Sequence, residues 1–226
     1  MAGKIFINYR RGDDPGSAQA LFARLEQAFP PEQLFMDVDN IEPGLDFVKV
    51  LKDQVAQCDV LIAVIGRGWI DTRDEVGARR LDNPADFVRI EIESALAQDK
   101  RVIPVLVGEA RMPRTDELPE GMKPLATRNA VRLTHERFRA DAQGLIKALE
   151  RALGEIEAQR RAQAQAHARA QAEAEAARRA QAEAESEREG AAAAARAEAE
   201  RKGDEAEAQA ERQRDCCSSS ICSAIR

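Results

Sequence analysis

Aromatic residues are scarce, 4% of a 226-residue chain, and they stop early. All seven Phe, the single Tyr and the single Trp fall between Phe6 and Phe138. From residue 157 to residue 220 there is no Leu, Ile, Val, Met or aromatic, and the apolar residues there are nearly all Ala. Alanine buries too little surface to build a core, so a second globular domain of comparable size is excluded. The expected organisation is a domain over residues 1–154, an Ala/Glu/Arg/Gln-rich helical arm over 155–213, and a Cys/Ser-rich disordered tail over 214–226.

Other absences narrow the function classes. No apolar run approaches the roughly 20 residues of a membrane span, so no stable membrane insertion is expected. Met1-Ala2-Gly3-Lys4 leads straight into a strand-like run, unlike a secretory signal. A net charge of −6 without a concentrated basic face argues against nucleic acid as a partner. Of four Cys, Cys58 sits in an apolar segment while Cys216, Cys217 and Cys222 crowd the far end. That is no disulfide framework, and a reducing cytoplasm is the expected location. Cys222-Ser223-Ala224-Ile225 would resemble a prenylation box, but Arg226 follows it. The two His are isolated, no P-loop motif occurs, and Gly66-Arg67-Gly68 lacks the third glycine of a dinucleotide fingerprint.

What is present alternates regularly. Strand-like runs at Lys4–Tyr9, Gln33–Asp37, Val60–Ile65, Val102–Val107 and Ala130–Leu133 are separated by helical periodicities. The helical stripes are Ala18/Leu21/Phe22/Leu25/Phe29, Phe47/Val50/Leu51/Val55, Val88/Ile92/Ala95 and Phe138/Ala142/Leu145/Ile146/Leu149/Leu153. Val60–Ile65 is apolar on both faces, as a central parallel strand reads when helices cover both sides. The pattern predicts an α/β fold, a flavodoxin-like doubly wound five-stranded parallel sheet of order 2-1-3-4-5. In such sheets chemistry collects outside the carboxyl ends of the strands, at the topological switch point.

Three features stand there. Arg10-Arg11 follows the first strand and reads either as a bidentate phosphate grip or as a solvated surface pair. Asp37, Asp39 and Glu42 follow the second, as acceptors for ribose hydroxyls or as turn formers. On the third helix, Glu91 sits about 100° from Ile92 and four residues after Phe87, at the border of the buried stripe. A carboxylate in that position beside an aromatic is a catalytic candidate; the alternative is an ordinary glutamate of an amphipathic helix.

Together these blocks resemble a known family. Ile5-Phe6-Ile7-Asn8-Tyr9-Arg10-Arg11, Phe35 to Gly44, Cys58 to Ile65 and Phe87-Val88-Arg89-Ile90-Glu91-Ile92 are similar, in order, to the signature blocks of the TIR (Toll/interleukin-1 receptor) domain, bacterial type and NAD-cleaving. The resemblance spans residues 4 to about 153, and Leu133-Thr134-His135-Glu136 also has its counterpart. It implies a flavodoxin-like fold and cleavage of NAD+ at the nicotinamide–ribose bond, giving nicotinamide and ADP-ribose or a cyclic isomer. NAD+ is then substrate, and no cofactor or metal is expected. The essential glutamate ending a Trp-x-x-x-Glu pattern falls on Glu91, with Phe87 in place of the usual Trp. The arginines after the first strand map to Arg10 and Arg11, as pyrophosphate holders, and the acidic loop residue to Glu42, on the ribose or nicotinamide side. Trp69 is a further candidate, stacking on a ring at the pocket mouth or packing in the core.

The resemblance also implies TIR–TIR self-association and a role in bacterial defence or interference with host signalling. Its alternatives are a non-catalytic adaptor acting by self-association and a sensor that binds an NAD-derived signal without cleaving it. The arm has Ala at every even position from Ala162 to Ala176, which scatters these residues around a helix axis. No heptad seam of a conventional coiled coil results. Its composition favours helix, with Gly190 and Gly203 as weak points, and it reads as a solvated spacer or a weak self-association arm.

Overall fold

The computed structural model describes residues 3–36 and 47–223. Five strands form one parallel sheet: β1 (Ile5–Asn8), β2 (Leu34–Met36), β3 (Val60–Ile65), β4 (Arg101–Val107) and β5 (Val131–Leu133), in the order β2-β1-β3-β4-β5. The helices are α1 (Pro15–Leu25), α2 (Phe47–Gln57), α3 (Phe87–Ala97) and α4 (Phe138–Ser223). Registry runs Ile5 to Val60 and Phe6 to Leu61 across the centre, and Val60 to Arg101 on the next strand. Fold class and strand order are those the alternation predicts.

The two-residue period of the strands divides the core in two. Ile5, Ile7, Val60, Ile62, Val64, Val105 and Val107 pack beneath α1 and α4. Phe6, Leu61, Ala63, Ile65, Val102 and Leu106 pack beneath α2 and α3. The stripe residues Val55, Val88, Ile92 and Ala95 are all buried on that second face, and Leu51 of the same α2 stripe is buried too. Between β4 and β5, where the sequence suggests only a loop, a 3₁₀ stretch from Glu120 to Thr127 closes this layer with Met122 and Leu125. Pro124 lies inside it, where its ring would clash with the carbonyl four residues back in an α-helix.

The closing helix and the arm are one helix, 86 residues long. The chain separates into Met1–Ala162 and Gln163–Arg226, so the first unit reaches beyond the expected boundary at 154. The extra turns are tied down. Arg101 Nη1 donates to Glu155 Oε2 at 2.9 Å, Ile156 packs against the core, and Arg160 pairs with the buried Asp59, which also accepts from the Lys4 N–H at 2.9 Å. In the second unit the described side chains are exposed, and Glu–Arg and Glu–Lys pairs at i,i+4, such as Glu175–Arg179 and Glu198–Lys202, support the helix. The helix runs on to Ser223, through most of the stretch expected as a disordered tail. Propagating an existing helix needs no further nucleation, which carries it into the poorer formers at 215–220.

One contact sets the position of α3. Asp86 caps it, accepting from the Arg89 N–H at 3.1 Å. The same carboxylate receives Arg10 bidentately, Nη1 to Oδ2 at 2.9 Å and Nη2 to Oδ1 at 3.0 Å, and Arg80 Nε at 3.1 Å. The Arg10 and Asp86 side chains are each 1% exposed. Removing one partner strands a charge in the interior. Asp86→Ala is therefore expected to lower the unfolding free energy by about 3–5 kcal/mol, and Arg10→Met with Asp86→Leu to recover most of it. Urea unfolding followed by the fluorescence of the buried Trp69 measures both; a single-variant loss below about 1 kcal/mol would mean that the pair does not anchor α3.

Candidate functional site

Along β1 and the residue pair that follows it, side chains alternate. Phe6, Asn8 and Arg10 point to the α3 side, and all three are buried. Asn8 Nδ2 donates to Glu91 Oε2 at 2.5 Å and reaches the Val88 carbonyl at 3.4 Å. Glu91 is 8% exposed, a carboxylate at the edge of the buried stripe, where its spacing from Ile92 places it. Phe87 opens the same helix directly after the cap and is 47% exposed, which places a half-exposed aromatic side chain beside the α3 N-terminus. The structure thus gathers Glu91 and Phe87 on α3 at the carboxyl end of β1, the switch point of the sheet.

The arginine pair divides. Arg11 is exposed, whereas Arg10 is interior and its guanidinium fork is engaged by Asp86. This corrects the expectation that both arginines grip a phosphate together: Arg11 begins a turn closed by the Asp13 N–H on the Arg10 carbonyl at 3.0 Å, which carries it away to the surface, and Arg10 holds α3 instead. Of the two readings of Trp69, stacking at the mouth or packing in the core, the structure shows the packing. The side chain is fully buried in the core beneath α3, with Nε1 unpartnered, and offers no face at a pocket mouth. Glu42, together with Asp37 and Asp39, lies outside the described residues.

Three further residues shape the site beyond those the sequence singles out. Asn8 and Asp86 are the partners of Glu91 and Arg10, and the strand parity of Phe6, Asn8 and Arg10 was the available signal for the first. The third is Asp13, whose Oδ2 and Oδ1 accept from the Gly66 and Gly68 N–H groups at 2.7 Å each. A Cβ at position 66 would run into that carboxylate, so a larger residue there would displace Asp13 from the two N–H groups. Gly66-Arg67-Gly68 is therefore a small anion cradle filled by the chain's own aspartate. Burial raises the Asp13 carboxyl above its usual range, against the lowering effect of the Gly68 and Gly66 hydrogen bonds. This lock joins the loops after β1 and β3, both at the same edge of the sheet.

Other chemistries have less support. Cys58 is buried and its thiol is pushed up to about 11, first by desolvation, which makes it a poor nucleophile. Among the described residues no group of three or more His, Cys, Asp and Glu is placed to hold a metal ion. No helix among them is long and apolar enough to cross a membrane. A groove of about 610 Å³ between α2 and α3, lined by residues including Lys52, Ile90 and Glu93, runs along another side of α3 and includes none of the candidate residues.

Comparison with known proteins follows the same lines. The chain is 27% identical over 133 residues to the "NAD(+) hydrolase sarm1" of Drosophila melanogaster, a match covering 58% of this chain and 9% of that protein. The chain therefore spans only a small part of that relative's length. Among solved structures, the TIR domains of the activated Roq1 resistosome that directly recognises the pathogen effector XopQ align with a TM-score of 0.45 and 12% identity, over 66% of this chain and 98% of that one. A metazoan TIR-STING receptor from C. gigas, in complex with 2',3'-cGAMP, aligns with a TM-score of 0.36 and 16% identity, over 62% of this chain and 38% of that one. The TIR domain family profile matches residues 5–149, well over half of the chain. With that match and the β2-β1-β3-β4-β5 sheet, the chain belongs to the TIR domain family.

Proposed function

We propose that this TIR domain cleaves NAD+ between nicotinamide and ribose, and that Glu91 is the catalytic carboxylate. The observation that carries this reading is a nearly buried carboxylate, held by a hydrogen bond from Asn8, at the switch-point edge of a parallel sheet beside an exposed aromatic. The similarity to a protein named as an NAD(+) hydrolase supports it.

The chemistry suits a single carboxylate. As the bond from ribose C1′ to the nicotinamide nitrogen breaks, its electron pair goes to the nitrogen and quenches the pyridinium charge. Positive charge then develops on the ribose, with oxocarbenium character like that of glycoside hydrolysis. Glu91 lies where an anion can stabilise that charge, and a fixed carboxylate needs no reorganisation as the charge appears. Nicotinamide leaves neutral, so no general acid is required. Water adds to C1′ and releases its proton to solvent, giving ADP-ribose; attack by a nucleophile within the same molecule gives a cyclic isomer instead. Phe87 offers its ring for stacking, Arg11 a guanidinium for the pyrophosphate, and Glu42 keeps the ribose-side role that the family resemblance implies.

The reading is tested by incubating purified protein with NAD+ and following nicotinamide by chromatography. Nicotinamide release is expected from the wild type, and Glu91→Ala should reduce kcat/KM by about 10²-fold or more without unfolding the domain. Equal turnover by Glu91→Ala would remove Glu91 from the chemistry. Absence of release from concentrated wild-type protein would favour the adaptor reading, and nucleotide binding without release would favour a sensor.

The arm belongs to the same proposal as an assembly element. Its described side chains are exposed and carry no branched apolar seam, so any association through it is weak and acts by raising the local concentration of TIR domains. Deleting residues 163–226 is expected to raise the protein concentration required for half-maximal nicotinamide release several-fold, while the maximal rate per domain stays the same. An unchanged concentration dependence would make the arm a spacer only.

A further inference from the structure

Asn8 is the last residue of β1 and is 1% exposed. Its amide nitrogen donates toward α3, to Glu91 Oε2 at 2.5 Å and to the Val88 carbonyl at 3.4 Å. Its own carbonyl oxygen is buried and has no partner. The orientation of the amide follows from its surroundings. Rotated by 180°, the carbonyl oxygen would face a main-chain carbonyl and a carboxylate, two acceptors against a third.

A buried acceptor without a partner is uncommon in a folded protein and carries a full desolvation penalty. Docking of α3 does not account for it. The helix is already seated by Val88, Ile92 and Ala95 in the core and by Arg10 on its capping aspartate. At position 8 an apolar side chain would simply have extended the face that Phe6 begins. What the asparagine adds is a donor placed on one oxygen of the Glu91 carboxylate. Val88 and Glu91 are three residues apart, hence on one side of the helix, so a single amide bridges the backbone and the carboxylate and limits rotation of the glutamate side chain.

We infer that Asn8 is a positioning residue for Glu91: its amide fixes one carboxylate oxygen and so holds the group oriented toward the developing ribose charge. Asn8 acts through Glu91 and contacts no substrate. The inference rests on the reading of Glu91 as the catalytic carboxylate, but its first test does not depend on turnover. Glutamate labelled with ¹³C at the carboxyl group is titrated by NMR in the full-length wild type and in Asn8→Asp, the Glu91 resonance being assigned by its loss in Glu91→Gln. Asn8→Asp keeps the shape of the side chain, removes the donor and sets a second carboxylate against the first. It is expected to move the Glu91 titration, and with it the acid limb of the kcat profile, upward by about one pH unit or more. Asn8→Ala should lower kcat about tenfold with KM within twofold, and thermal unfolding of each variant separates this from loss of fold. A wild type that releases no nicotinamide while Asn8→Asp shifts the Glu91 titration would leave the positioning role standing and defeat the NAD-cleaving reading. A Glu91 titration that Asn8→Asp leaves unmoved in the folded protein overturns the inference.

Discussion

The geometry of the site depends on one buried ion pair, Arg10 with Asp86. The two residues are separated by 76 positions in sequence, and their side chains are almost completely removed from water. Two charges in the interior are tolerable only when each is closely satisfied. Asp86 is satisfied by two guanidiniums and by the Arg89 N–H of the helix it caps. Because that aspartate is also the first point of α3, satisfying the charge fixes where the helix begins relative to the end of β1. Phe87 and Glu91 then follow at set rotations about the axis. The exposed ring and the held carboxylate are consequences of where the cap is pinned.

Most of the scaffold was legible in the residues because it rests on short-range periodicity. Val60–Ile65 announces a strand covered on both faces, and the stripe Val88, Ile92 and Ala95 gives both the existence of α3 and the side it buries. The border position of Glu91 follows from that same stripe. Arg10 was not legible, since its partner is distant and a doublet of arginines has the same appearance whether solvated or divided between surface and interior. Parity along the strand would have separated the two, for Arg10 shares the register of Phe6 and Arg11 does not. Trp69 sits in a polar stretch that reads as an exposed loop. That loop folds back and buries the indole in the core on the α2 and α3 side of the sheet, an arrangement with no periodic signal.

The boundary between domain and arm shows a different limit. Composition changes abruptly after Ile156, yet the backbone does not, and Gly154 lies within an unbroken helix. A glycine there costs about 1 kcal/mol relative to alanine, too little to end a helix with good formers on both sides and with Glu155 and Arg160 bound to the sheet. The last apolar contact, the last anchoring ion pair and the last helical residue therefore fall at three different positions. Apolar periodicity reports only the first of them.

The loops after β1 and β3 are held at this edge by the chain's own side chains. Gly66 and Gly68 present two N–H groups of the kind that receive phosphate in other α/β proteins, but Asp13 already supplies the anion. The loop after β1 is therefore fastened on two sides, to α3 through Arg10 and to the end of β3 through Asp13. Arg11 lies between these fixed points, so its position is determined by neighbours that are themselves held. A guanidinium on a segment anchored at both ends loses less freedom on gripping an anion than one on an unanchored loop. In the NAD-cleaving reading, the same anchoring that removes Arg10 from direct contact with the pyrophosphate is what prepares Arg11 for it.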